Sequence, residues 1–456
     1  MASPAKKASL TQIVGDELSR FVVQSTLLHL IDPVRGEPTR TFLDENPESD
    51  TSGGQKLKQK FLDSFALICS TSSSGAETAS AVCLEQHLPA GAILRVARNR
   101  GLEPRDLTGL EKVLQILQVT ARKEKSWSQA ESEILGVVVE LDKGRILSMA
   151  VKIEKHGIRN SLRGARSRLL TSQLKLDARA IPELRKWLES YPFEATSPHT
   201  WSPATMAVLI AWASQARWTY AEQLRILFGP AETKMPPWLD TLHKIARYRS
   251  AIKSMVKLAA KQPEVLAGIH IQDVKATGPR PFSLSIGRAP LLAIVKRLVG
   301  EDSGTTMEQL EKRLDTQDVE KKLRSACRLS LTLHAEMQLV VFYEGNPSLA
   351  PRMQYMGTSK KACFHCHKYL LQHPLGPQVS ACHQKIYPTW MPPPYYTTPG
   401  KFRKNAPFVK LSREIENLTK QELKTALAAP RRPKNQDSTA GPSLTTTATA
   451  PTELGS

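Results

Sequence analysis

Four side chains could act on one reacting centre: His334 and Glu336 of His334-Ala335-Glu336, and Cys363 and Cys366 of Cys363-Phe364-His365-Cys366. One imidazole and two thiolates are donors that zinc accepts in a tetrahedron, and three protein ligands leave the fourth corner for water. Water at such a corner becomes acidic near neutral pH. A carboxylate that is not a ligand, here Glu336, can then move protons. An open zinc position beside a free carboxylate points to hydrolysis, not to a structural metal. Cys363 and Cys366 stand at i and i+3, so they share one face of a helix. A helix starting near Ser359, capped by Thr358 or Ser359, would carry both thiols in its first turns, where its dipole favours thiolate.

His334 and Glu336 stand at i and i+2, which diverge inside a helix. They converge only where regular structure begins. Residues 329–333 read as a short strand, so His334 falls at a strand-to-helix junction. H-x-E alone is common by chance, and C-x-x-C alone also fits redox chemistry or a zinc knuckle. The ordered pair, with a strand-like segment before each member, is far more specific. The competing arrangement is a closed structural site of Cys363, Cys366, Cys382 and His383. Adjacent Cys382 and His383 make poor partners in one tetrahedron. His365, His367 and His373 read as surface residues or as outer neighbours of the site. Cys69, Cys83 and Cys327 sit in apolar helical contexts and read as buried packing thiols.

The elements around these residues fall into two textures. Residues 1–8 are small and polar and read as a flexible N-terminus. Residues 11–32 carry apolar residues at helical spacing, and 37–55 form a polar loop. From 57 to 260 the texture is helical, with helices expected at 57–70, 76–87, 90–99, 106–121, 127–141, 144–155, 159–172, 180–190, 203–214, 218–227 and 236–260. Pro104, Gly157, Pro203 and Gly229-Pro230 punctuate them. Beyond 264 the pattern changes. Residues 269–274 and 282–286 alternate as two strands joined by a turn. Residues 291–299 and 306–327 are helical, 353–357 is another short strand, and 411–428 is a last helix. The expected organisation is therefore a mostly helical region over 9–262, of one or two domains, a zinc domain over 263–428, and a Pro/Ser/Thr/Ala-rich disordered tail over 429–456.

The chain of 456 residues is long enough for two or three domains and carries a formal net charge of +20. Such a charge suits a polyanion such as DNA or RNA. Lys143, Arg145, Lys152, Lys155, Arg159, Arg163, Arg166, Arg168, Lys175, Arg179, Arg185 and Lys186 face only three acids in the same stretch. Lys401, Arg403, Lys404 and Lys410 form a second run. No apolar run is long enough to span a bilayer, and no signal peptide opens the chain. Six cysteines in a chain of this length do not make a disulfide framework, which points to a reducing, intracellular compartment, cytoplasmic or nuclear. Pro430-Arg431-Arg432-Pro433-Lys434 is a short basic run of the nuclear-address type. The sequence sets no oligomeric state.

Three segments together resemble a known family. They are Leu333-His334-Ala335-Glu336-Met337-Gln338-Leu339, Tyr355-Met356-Gly357-Thr358-Ser359-Lys360-Lys361-Ala362-Cys363-Phe364-His365-Cys366, and Ile386-Tyr387-Pro388-Thr389-Trp390-Met391-Pro392. They look like a deaminase-like family widespread in fungi, within the zinc-dependent cytidine deaminase superfamily. The resemblance spans roughly 265–400. It implies an α/β fold: a three-layer core with a mixed five-stranded sheet, preceded here by the helical region. It also implies Zn2+ held by His334, Cys363 and Cys366, with Glu336 as proton shuttle. Ser359, Lys360, Tyr387 and Trp390 are the expected substrate contacts, the aromatics by stacking on a base; the competing reading of the aromatics is a Pro/aromatic loop packed over the core. One departure is Ala362, where the superfamily usually has Pro. The expected activity is hydrolytic deamination of a cytosine or adenine base, with single-stranded DNA or RNA the favoured partner. The alternatives are a non-catalytic nucleic-acid-binding protein with a structural zinc, and a free nucleoside or nucleotide deaminase.

Overall fold

The computed structural model describes residues 9–39, 53–74, 76–88, 91–170, 176–177, 179–191, 198–229, 235–284, 289–397 and 405–427. The expectations for 1–8 and 429–456, and for Lys175, Lys401, Arg403 and Lys404, lie outside them. The strands are β1 (Ser9–Thr11), β2 (Ser80–Leu88), β3 (Gly91–Arg98), β4 (His270–Asp273), β5 (Arg280–Phe282), β6 (Leu329–Leu331), β7 (Gly357–Thr358) and β8 (Tyr395–Thr397). The helices up to the middle of the chain are α1 (Gly15–Ile31), α2 (Gly54–Ile68), α3 (Pro104–Ala121), α4 (Trp127–Leu141), α5 (Lys143–Lys155), α6 (Ile158–Leu170), α7 (Ile181–Glu189), α8 (Pro203–Trp218), α9 (Ala221–Phe228) and α10 (Pro237–Lys261). There follow α11 (Pro263–Leu266), α12 (Pro290–Val299), α13 (Ser303–Leu314), α14 (Val319–Ala326), α15 (Ala335–Gly345), α16 (Phe364–Gln372) and α17 (Ala406–Gln421).

Helical periodicity located α2 to α10 well, with one exception. The segments expected as helices at 76–87 and 90–99 are the antiparallel strands β2 and β3. Both faces of these strands are buried, so their apolar residues run almost continuously instead of alternating. Val82, Leu84, Leu94 and Val96 face one core, while Ala81, Cys83 and Ala97 face another. Glu85 and Arg95 are also buried, paired with each other at 2.8 Å. Ala, Leu, Glu, Gln and Arg all favour helices, so local propensity and tertiary pairing disagree here.

The hairpin is the centre of the principal sheet, whose order is β4-β3-β2-β7. β3 pairs with β4 in parallel, and β2 pairs antiparallel with β3 and β7. The sheet is mixed, as expected, and among the described residues it has four strands where five were expected. It joins residues on both sides of position 262. On one face lies the larger core, with α2, α3 and α10; on the other lie α15 and α16 with α1 and α17. β4 and β5 do not pair as a hairpin, because β5 joins β6 in a separate two-stranded sheet. The helical stretch expected over 306–327 is broken at Asp315, whose φ of 52° ends α13 in the left-handed region. Among the described residues no helix is long and apolar enough to cross a membrane.

Close backbone packing places β7. An added Cβ at Gly357 would fall inside the backbone of Leu62 and Asp63 of α2, so only glycine fits. Buried Asp63 accepts from the Thr358 N–H at 2.9 Å and the Tyr355 hydroxyl at 2.8 Å. These contacts hold the segment that leads into Ser359, Lys360 and Lys361.

Candidate metal centre and pocket

β6 delivers His334 to its place. The backbone of Thr332, just after that strand, donates to Thr389 O at 2.8 Å and accepts from the Met391 N–H at 3.0 Å. His334 is extended (φ −67°, ψ 152°) and is the residue before the first turn of α15. Glu336 lies inside that turn, so the two side chains converge at the junction anticipated for them. The free N–H of Ala335 is met by Asn99 Oδ1 at 2.8 Å, from the end of β3 and 236 positions away in sequence. Gln338 reinforces the turn by donating to Leu333 O at 2.9 Å and Arg98 O at 3.2 Å.

The thiols are placed differently from expectation. α16 starts at Phe364, not near Ser359, and neither Thr358 nor Ser359 caps it. Cys363 is the cap: its Sγ accepts from the Cys366 N–H at 3.4 Å. The same sulfur therefore satisfies an orphan helix amide and points at the ring of His334. Ser359 Oγ instead accepts from the Ser80 N–H at 2.9 Å, tying the segment to β2. Ala362 lies outside the helix, and its N–H donates to Ala381 O at 2.8 Å. Proline has no such hydrogen, which accounts physically for alanine at this position.

His334 Nδ1 lies 3.6 Å from Cys363 Sγ and 3.4 Å from Cys366 Sγ. With Zn–S near 2.3 Å and Zn–N near 2.0–2.1 Å, a tetrahedral N···S edge is about 3.6 Å. The donor set and its spacing thus fit zinc. Among the described residues, these three are the group that could hold a metal ion. Cys382 and His383 are not part of it: their Sγ and Nδ1 accept from the Gln384 and Lys385 N–H groups.

Burial works against ionising either thiol of the metal-free site. A hydrogen bond from Cys366 and the charge of His334 nevertheless hold Cys363 well below the ordinary thiol range, while Cys366 is pushed well above it. Burial also opposes charge on His334, but the Cys363 thiolate raises its pKa above the usual value. Burial raises the Glu336 carboxyl, in the direction a group must move to take and return protons near neutrality.

A cavity of about 160 Å³ opens beside these residues, lined by Glu336, His334 and Cys363. Of the expected substrate contacts, Ser359, Lys360 and Tyr387 line it. The Tyr387 ring stands edge-on to His334, with centroids 6.2 Å apart. Trp390 does not reach it. It is 0 % exposed behind the site, and its Nε1–H donates to Cys366 Sγ at 3.3 Å. It therefore has no face free for a base. His365, expected at the surface or as an outer neighbour, is also fully buried, against Phe21 and Trp390. His373 is buried and bonds Glu344 at 2.9 Å. Cys69, Cys83 and Cys327 are buried, as expected.

Two lining residues, Asn99 and His383, lie outside the three segments that carry the resemblance, while Thr358 and Lys361 lie within the second.

The basic stretch divides by role. Lys143, Lys152, Lys155, Arg163, Arg168, Arg179, Arg185 and Lys186 are exposed. Arg145 and Arg166 instead donate to Ser70 O and Leu188 O, and Arg159 pairs with Glu154.

No curated protein and no solved structure matches the chain. Residues 333–394 match the family model of an OTT_1508-like deaminase. The matched segment carries His334, Glu336, Cys363 and Cys366, and the pocket beside them is completed from outside it by Ala76, Ala79, Ser80 at the start of β2 and Asn99 just after β3.

Proposed function

We propose that this protein is a zinc-dependent hydrolytic deaminase of a cytosine or adenine base, of the cytidine deaminase superfamily, acting on single-stranded DNA or RNA. The observation that carries the reading is the convergence of His334, Cys363 and Cys366 at zinc-like separations beside Glu336, within a segment similar to a deaminase family. His334, Cys363 and Cys366 would hold the ion. Bound there, zinc would supply Lewis acidity and bring the pKa of a water to about 7. Glu336 would shuttle two protons: one from the attacking water to a ring nitrogen, and one from the hydroxyl that this water becomes on the ring carbon to the amino group that leaves as ammonia. The cavity suits one ring taken out of a stack, which is easiest in a single strand. Lys360 and Lys361 at its wall favour an anionic substrate.

Support for a nucleic-acid partner comes from the exposed cations of α5 to α7. A groove of about 1150 Å³ between α3, α4 and α5 also adjoins the pocket: Thr78 lines the groove, while Ala79 and Ser80 line the pocket. A strand could lie along this groove, and its binding would weaken steeply with salt. An intracellular location, cytoplasmic or nuclear, follows from such a partner. The test is Glu336→Ala, which should keep zinc and abolish ammonia release from a panel of cytidine, adenosine, single-stranded DNA and RNA. Undiminished ammonia release in that variant refutes the mechanism.

A further inference from the structure

One side chain in the metal pocket has half of its hydrogen bonding complete. His383 is 2 % exposed and lines the cavity. Its Nδ1 accepts from the Lys385 N–H at 3.0 Å. A ring nitrogen that accepts from a backbone N–H carries no proton, so in neutral imidazole the proton resides on Nε2. Burial keeps the ring neutral, pushing its pKa down to about 4. The edge of Tyr387 packs against the ring at 5.4 Å, which fixes its plane. Among the described residues Nε2 has no hydrogen-bond partner. Thr358 Oγ1, on a residue lining the same cavity, is a buried polar atom without one.

A donor on a cavity wall is satisfied by whatever the cavity holds. Metal binding does not answer the need. The clustered ligands are His334, Cys363 and Cys366, and a protonated Nε2 is no ligand. What remains is whatever occupies the pocket. We infer that His383 is a specificity-determining residue whose Nε2–H donates to an acceptor atom of the bound ring. That acceptor is the carbonyl oxygen of a cytosine-type ring or a ring nitrogen of an adenine-type ring. This rests on the deaminase reading and adds to it a contact that holds the ring against the metal side of the pocket. Thr358 Oγ1 is placed to complete the same recognition.

The test uses the full zinc-loaded chain labelled with ¹⁵N-histidine, with His383 assigned by the resonances lost in His383→Gln. The expected result is the Nε2–H tautomer at neutral pH, with a resonance that moves on addition of either cytidine or adenosine, whichever fits. In ammonia-release kinetics, His383→Phe keeps an aromatic ring but loses both the donor and the acceptor for the Lys385 N–H, and kcat/KM should fall about tenfold. His383→Gln can both accept from Lys385 and donate into the pocket, and should stay within about threefold of wild type. An Nδ1–H tautomer, or a His383→Phe variant within about twofold of wild type, overturns the inference. Failure of the deaminase reading looks different: zinc is bound and no substrate yields ammonia. The tautomer and the nucleoside titration then still decide the role of His383. A moved resonance upholds the contact, and an unmoved one at saturating cytidine and adenosine overturns it.

Discussion

Cys363 holds two roles that a single substitution can separate. Its sulfur caps α16 by accepting from the Cys366 N–H at 3.4 Å, and it stands 3.6 Å from His334 Nδ1 in the candidate metal centre. Serine is a good helix cap but a poor zinc ligand beside a thiolate. Cys363→Ser should therefore leave the zinc-free protein nearly as stable as wild type, while Cys363→Ala loses the cap. Sulfur is a weak acceptor, so the cap lies at the low end of its range, about 0.5–1 kcal/mol. Zinc at a hundred times its dissociation constant should stabilise wild type by about 2.7 kcal/mol and neither variant. Urea unfolding of the three proteins, with chelator and with zinc, reads both quantities, and metal analysis gives the stoichiometry. Two results would refute the reasoning. Equal zinc stabilisation of Cys363→Ser and wild type removes Cys363 from the metal centre. Equal zinc-free stability of the serine and alanine variants removes it from the cap.

Gly357→Ala should destabilise by about 1–3 kcal/mol or more, because the new methyl meets the backbone of Leu62 and Asp63, which cannot step aside; unfolding at neutral pH measures it. Trp390→Phe keeps the packing but removes the N–H that supports Cys366 Sγ, and should weaken zinc binding by about tenfold in a competition with a chromophoric chelator. Burial raises Asp63 to about 7 in the folded state, from 3.8. A folded-state pKa above the unfolded one means that the folded protein holds the extra proton. That contribution is complete below about 4 and is lost as pH rises towards 7, by up to about 1.4 kcal/mol per pH unit. Asp63→Asn should flatten the melting temperature over that window, and an unchanged slope would show that Asp63 does not titrate there.

Much of the site could be read from the chain because its chemistry is local. H-x-E at a strand-to-helix junction and C-x-x-C at a helix start each need only a few neighbouring residues to take shape. The amphipathic helices α2 to α10 were legible for the same reason, each carrying its own apolar period. Tertiary structure decided what local pattern cannot express. β2 and β3 are buried on both faces, so burial erased the alternation that marks a strand, and helix-favouring residues completed the disguise. Asn99 reaches Ala335 across 236 positions, and no spacing rule spans that distance. Trp390 and Tyr387 stand three residues apart in one motif, yet one is sealed behind Cys366 and the other lines the pocket. The residue types of the candidate metal centre were thus determined by sequence alone. Which side chains surround it depends on how the β2–β3 hairpin packs against α15 and the segment before α16, and so on contacts that exist only once the chain has folded.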